Sequence, residues 1–185
     1  MNTMRFISRR FELLTLFFLA LGVSAGVQAI DIIAFNKAEL AKHNEYRRLS
    51  GVPPLIYSSI LAAIAQKYAE LMVKTNNFQH SGAANIGENL YSCAVTPNGD
   101  CLVPGAATEA WYGEIEEYDF GSPGFNPRTG HYTQVVWKAT TMVGCGYATT
   151  PTSKNNTFIS YVVCNYSPPG NYVDDFSGNV LRPNE

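Results

Sequence analysis

His80, Glu88 and His131 are the residues whose types and settings best suit chemistry in this 185-residue chain, which has only three histidines. His131 follows a Gly/Pro-rich loop in the stretch GHYTQVVWKATTMVGCGYA, residues 130–148, and precedes a short apolar run ending in a cysteine. A ring so placed can be held rigidly beside a cleft. His80 precedes the Gly-flanked carboxylate Glu88 of NIGENLY. Two imidazoles and a carboxylate that meet are the donors of a divalent-metal site or, with a water, of general base chemistry. The competing reading is structural: a buried carboxylate needs donors, and backbone N–H groups and imidazoles supply them.

The elements that must position these groups follow from the pattern. Residues 33–49 are good helix formers, with Ala34, Ala38 and Ala41 on one side and Leu40, His43, Asn44 and Arg47 on another. The His43–Asn44–Arg47 seam reads as a satisfied buried network rather than catalytic machinery. After Gly51-Val52-Pro53-Pro54, Ser58 or Ser59 caps a second helix in which Leu61, Ile64, Ala65, Tyr68, Leu71, Met72 and Thr75 recur at helical spacing. A short strand is expected at Asn89-Leu90-Tyr91, and a third helix from about 105 to 117. Trp111, Glu114, Ile115 and Tyr118 share a face of that helix, so Glu114 points where the aromatics point. YDFGSPGFNPRTG is neither helix nor regular strand, and Thr129 caps a short helix at 130–136. Strands are expected at 143–149 and 157–166, the second apolar on both faces, which requires a sheet covered on both sides. Helices first and strands late give an α+β fold, a three-layer α-β-α sandwich with a small central antiparallel sheet.

Residues 1–29 read as a secretory signal peptide: Arg5, Arg9 and Arg10 precede an apolar run from Leu13 to Val23, and Val27 and Ala29 supply the small residues before a cut. The run is shorter than the ~20 residues of a spanning helix, so no stable membrane anchor is expected. Residues 30–185 then form a single domain carrying a formal charge of −4, since the leader removes three basic residues and one acidic residue from a chain of −2. No basic stripe appears, which argues against a nucleic-acid partner. Four cysteines in an exported chain point to two disulfides. Sequence allows three pairings; Cys93–Cys101 around a turn-rich segment and Cys145–Cys164 between two apolar segments are preferred. Asn155 and Asn165 begin glycosylation sequons, of which the second is expected to be too enclosed for use.

The chain resembles the CAP superfamily of cysteine-rich secretory proteins, antigen 5 and plant pathogenesis-related class one proteins, also called the SCP domain. The resemblance rests on HNEYRRLSGVPPL at 43–55, HSGAANIGENLY at 80–91, AWYGEIEEYDF at 110–120, PGFNPRTGHYTQVVWKATTMVGCGYA at 123–148 and YVVCNYSPPGNYV at 161–173, in family order. The motifs are most similar to the fungal sterol-binding branch. The resemblance implies a secreted α-β-α sandwich whose cleft gathers a tetrad of His80, Glu88, Glu114 and His131, able to hold a divalent metal such as zinc. It also implies a monomer or weak dimer, and assigns the sterol-binding loop to Tyr118, Phe120, Pro123, Gly124 and Phe125. Four cysteines, where many relatives have six in this domain, are a departure from the pattern.

Aromatic surface on an irregular loop suits a flat apolar ligand; the plainer reading packs those rings on the third helix. Trp111 and Trp137 read as core anchors. The leading expectation is thus a non-enzymatic lipid-binding protein. A zinc-dependent hydrolase using the tetrad, with Glu88 or Glu114 as base, and a secreted defence or virulence effector are the alternatives. The sequence holds no HExxH, no GxSxG and no cysteine spare from the disulfides, and Ser81 beside His80 reads as a bystander.

Overall fold

The computed structural model describes residues 31–95, 102–152 and 157–183. Three expectations lie outside these residues: the leader at 1–29, the partner Cys101 of the Cys93 disulfide, and the sequon at Asn155.

The helix read most clearly from periodicity, α2 (Ser59–Thr75), starts where the Ser58 hydroxyl accepts the Leu61 N–H at 3.3 Å and ends at Asn76 in the left-handed region, φ 49°. It buries Leu61, Ala62, Ala65, Ala69 and Met72 against a four-stranded sheet ordered β1 (Ile56–Tyr57), β3 (Met142–Pro151), β4 (Phe158–Ser167) and β2 (Gly87–Val95). The contact is close because β3 carries glycines on that face. A Cβ at Gly144 would strike the backbone of Ser58 and Ala62, and one at Gly146 the backbone of Ala65 and Gln66. Leu90, Tyr161 and Val163 complete this smaller core with Ala65, Ala69 and Met72.

The opposite face of the sheet is covered by α1 (Ile32–Leu49), α3 (Ala106–Gly113) and α4 (Gly130–Val136), with a short α5 (Phe176–Asn179) near the end. Here Val162, Cys164 and Tyr166 of β4 meet Phe35, Trp111, Tyr132, Val135 and Trp137 in the main core. β4 therefore alternates between two apolar layers, as its sequence requires, and the α-β-α sandwich is the observed fold. Cys145 and Cys164 form a disulfide and stand directly opposite in the β3–β4 register.

The details differ from the sequence reading in physically instructive ways. The sheet is mixed, because β1, only two residues long, pairs parallel to β3 through Ile56↔Met142 and Tyr57↔Val143. β2 runs through nine residues, pairing with β4 well beyond Tyr91. The third helix tightens into a 3₁₀ turn over Glu114–Glu117, so only its first part is α-helix. In α1 the buried stripe is polar: Asn36, Glu39, His43 and Arg47 are inside, while Ala34 and Ala41 face solvent.

That polar stripe is satisfied group by group. Asn36 donates to the Cys145 carbonyl at 2.9 Å and accepts the Cys145 N–H at 2.8 Å, and Gln66 of α2 does the same for Tyr147 at 2.9 and 3.0 Å. These two amides take the places that a longer β1 would fill along β3. Arg47 has no exposed surface and donates to the carbonyls of Pro53, Val135, Trp137 and Thr140 at 2.7–3.0 Å. Its cation thus closes the C-terminal end of α4, where the helix dipole is negative. Burial lowers its pKa to about 10, which leaves it charged at neutral pH.

Candidate functional site

Glu114, at the start of the 3₁₀ turn, closes the other end of α4. Its Oε2 accepts the backbone N–H groups of His131 and Tyr132, each at 3.0 Å, and its Oε1 meets His131 Nδ1 at 2.6 Å. A carboxylate at the N-terminus and a guanidinium at the C-terminus therefore bracket a seven-residue helix that has no side-chain cap of its own at Thr129. The His131 ring stacks on Trp111 at a centroid distance of 6.2 Å, and the His131 carbonyl accepts from Asn89 of β2 at 3.1 Å.

The second pair is built from β2. Glu88 Oε1 accepts both the His80 Nδ1–H at 2.9 Å and the Ser81 N–H at 2.8 Å, fastening the loop before the strand. Tyr68 of α2 fastens the same loop by donating to the Gln79 carbonyl at 2.6 Å. Hydrogen bonding to Glu88 raises the His80 pKa above its ordinary value. Burial alone would raise that of Glu88, but the donors His80 and Ser81 together bring it below the usual carboxylate range. Strand alternation puts Glu88 on the same side as Leu90, which packs with α2, whereas Asn89 reaches His131 on the other side.

The metal site expected at the tetrad is corrected by this arrangement. Among the described residues no group of three or more His, Cys, Asp or Glu side chains is placed to hold a metal ion. The residues pair two by two, His80 with Glu88 and His131 with Glu114; both Glu114 oxygens are engaged, by two backbone N–H groups and the imidazole, whereas Glu88 engages Oε1 with the Ser81 N–H and His80, and its buried Oε2 accepts no hydrogen bond among the described residues. Glu114 meets in full what the structural reading requires of a carboxylate, and Glu88 meets it at one oxygen.

Behind the pairs lies the network expected from His43, and it is larger than its seam in α1. His43 Nδ1 lies 2.7 Å from the Glu39 carbonyl and Nε2 2.8 Å from Tyr166 Oη, so Nδ1 carries the proton and Nε2 accepts from the phenol. Asn89 donates in turn to Tyr166 Oη at 3.2 Å. Glu39 accepts from Gly105 N at 2.8 Å and from the Thr108 hydroxyl, closing the start of α3. Glu39, Thr108 and Tyr166 are beyond sequence reasoning, because each has a partner at least 65 residues away in the chain; only helical spacing from His43 back to Glu39 offers a signal.

The aromatic loop divides. Tyr118 is buried and Phe120 half-buried, both packed on Tyr132 with centroids 5.5 and 6.5 Å away. These two rings follow the plainer reading. Phe125 instead is 58% exposed, and Pro123, Gly124 and Phe125 separate two hollows. One, of about 340 Å³, runs along Tyr118, Ser122 and Asn126. The other, of about 360 Å³, lies between the loop and Val173, Asp174, Phe176 and Ser177. Asn165 is 1% exposed within β4, as expected of its sequon.

An α-β-α sandwich with carboxylate–imidazole pairs at the edge of its sheet defines the class, and comparison with known proteins agrees. The chain belongs to the CAP, or cysteine-rich secretory protein, family, whose pattern matches residues 40–166. It is 38% identical over 154 residues to human Golgi-associated plant pathogenesis-related protein 1, covering 80% of this chain and 94% of that one. It is 36% identical over 148 residues to protein PRY2 of Saccharomyces cerevisiae, covering 80% of this chain but 41% of the yeast protein. The crystal structure of NaASP2 with Zn2+ superposes with a TM-score of 0.58 at 25% identity, over 81% of this chain and 86% of that one.

Proposed function

We propose that this is a secreted, non-enzymatic binding protein that takes up sterols or similar small apolar lipids at the ridge Pro123–Gly124–Phe125. Export is supported by the secretory character of the family and by the leader pattern of residues 1–29. Among the described residues no helix is long and apolar enough to cross a membrane. The observation that carries the lipid reading is Phe125, a large ring left 58% in solvent on the rim of a hollow of about 360 Å³. Covering such a ring gains about 25 cal/mol per Å² of apolar surface, and the volume falls in the ~300–1,000 Å³ range of small-molecule sites.

The His131–Glu114 pair serves this reading as a fastener, holding the start of α4, whose Gly130 lies against the Phe125 ring; the His80–Glu88 pair fastens the loop at 79–81 on the α2 side of the sheet. Purified protein should bind radiolabelled cholesterol saturably, and Phe125→Ala should bind less. Phe120→Ala is a poorer probe because that ring packs against the core. Absence of saturable binding by the parent protein overturns the proposal.

A further inference from the structure

The hollow beside Phe125 has a second wall, and that wall comes from the last part of the chain. Asn171, in the left-handed region at φ 62°, donates to the Gly130 carbonyl at 2.8 Å and accepts from the Thr133 hydroxyl at 2.6 Å. It thereby ties residues 172–177 to the first turn of α4. The Phe125 ring is anchored at the same place, 3.1 Å from where a Cβ on Gly130 would stand. Both walls therefore meet at Gly130, the residue before His131, which Glu114 holds.

The chemistry of the second wall is divided. Val173 is 78% exposed and faces the hollow with no apolar cover, and Phe176 forms a buried floor against Trp137 at a centroid distance of 5.1 Å. Between them Asp174 also takes the left-handed region, φ 74°, which an aspartate tolerates better than most residues but which still opposes its intrinsic preference. Two left-handed non-glycine residues within four positions mark a segment held in shape by its anchors. The result is a hollow whose lining sets the apolar side chains of Phe125, Val173 and Phe176 together with one carboxylate, Asp174.

We propose that Val173 and Asp174 select the ligand: the hollow takes an apolar lipid that carries a free hydroxyl, whose O–H donates to the Asp174 carboxylate while its hydrocarbon lies between Phe125 and Val173. This rests on the lipid-binding reading above and adds to it the second wall and the requirement for a donor. A hydrogen bond to a charged acceptor is among the stronger kinds, and at this partly open rim about tenfold discrimination is expected.

The test compares cholesterol with cholesteryl methyl ether, which lacks the donor, on the parent protein and on Val173→Ser, Asp174→Gly and Phe125→Ser. Val173 and Asp174 are exposed, and glycine accepts the backbone of position 174, so these variants retain the fold. The parent should prefer cholesterol about tenfold. Asp174→Gly should erase the preference, and Val173→Ser should weaken both sterols severalfold. If the parent binds both sterols equally and Val173→Ser and Asp174→Gly match it, while Phe125→Ser still loses binding, the second wall is wrong and the ridge stands. If the parent binds neither sterol, both readings fall.

Discussion

The Nε2 atom of His43 accepts a hydrogen bond from Tyr166 Oη at 2.8 Å, and neither residue has any surface in water. A proton added to that nitrogen would face a donor, in the field of Arg47, with no solvent to spread its charge. Burial, with Arg47 as a smaller cause, pushes the imidazole down to about 4 from 6.5.

Between these two values the unfolded chain takes up a proton that the folded chain refuses, so stability present above about pH 6.5 is lost as pH falls towards about 4. The loss from His43 alone amounts to about 3 kcal/mol. Buried Glu39, whose pKa is raised, works in the opposite direction and is common to parent and variant. Urea unfolding at about pH 7 and about pH 4.5 should therefore show a smaller acid loss in His43→Gln than in the parent. Equal losses would remove His43 from the account.

Arg47 should resist its most conservative replacement. Lysine keeps the charge but cannot reach Pro53, Val135, Trp137 and Thr140 with one planar fork. We expect Arg47→Lys to destabilise by about 2–4 kcal/mol, from carbonyls left unpaired in the interior. A denaturation midpoint within error of the parent would contradict this role.

The glycines of β3 give a steric prediction. Gly146→Ala forces α2 off the sheet, because the new methyl meets the backbone of Ala65 and Gln66 rather than a flexible side chain. A destabilisation of about 3 kcal/mol follows, read as a fall of roughly 6–12 °C in the melting temperature for a domain of this size. Gly113→Ala, where a Cβ meets nothing within 4 Å and the backbone is helical, serves as the control and should melt at or slightly above the parent.

His80 reports directly on its carboxylate. Its raised pKa comes first from the hydrogen bond to Glu88, so by NMR the His80 ring should titrate above 6.5 in the parent and move back down in Glu88→Gln. Because a raised histidine stabilises only while protonated, that contribution is present at acid pH and vanishes as pH rises through the folded value. An unchanged His80 titration in Glu88→Gln would show that the pair is not formed in solution.

What the residues disclosed beforehand depended on how local the cause was. α2 is legible because one face buries apolar groups at helical spacing, and β4 because both its faces are apolar. α1 declares its helix but hides its orientation: Asn36, Glu39, His43 and Arg47 go inside only because Cys145, Gly105, Tyr166 and the end of α4 meet them there. β1 has two residues and no periodicity to read. The family motifs imply one tetrad of His80, Glu88, Glu114 and His131 around a metal, but the groups pair two by two, since side-chain alternation along β2 and the capping of α4 are matters of geometry that motifs do not carry. Tyr118 and Phe125 are equally aromatic in sequence; the first is sheltered because it packs on Tyr132 and Phe120 in the core, a contact that no local pattern announces.

The side-chain amides of Asn36 and Gln66 have one more implication, for how this molecule behaves in company. A sheet margin with bare N–H and C=O groups invites a strand from a neighbouring chain, the first step towards aggregates. Along Cys145 and Tyr147 that invitation is withdrawn, because a newcomer would have to dislodge two bidentate amides carried on separate helices. Crowded export would thus leave this flank inert for as long as α1 and α2 stay docked, and replacing either amide by leucine should show first as clumping.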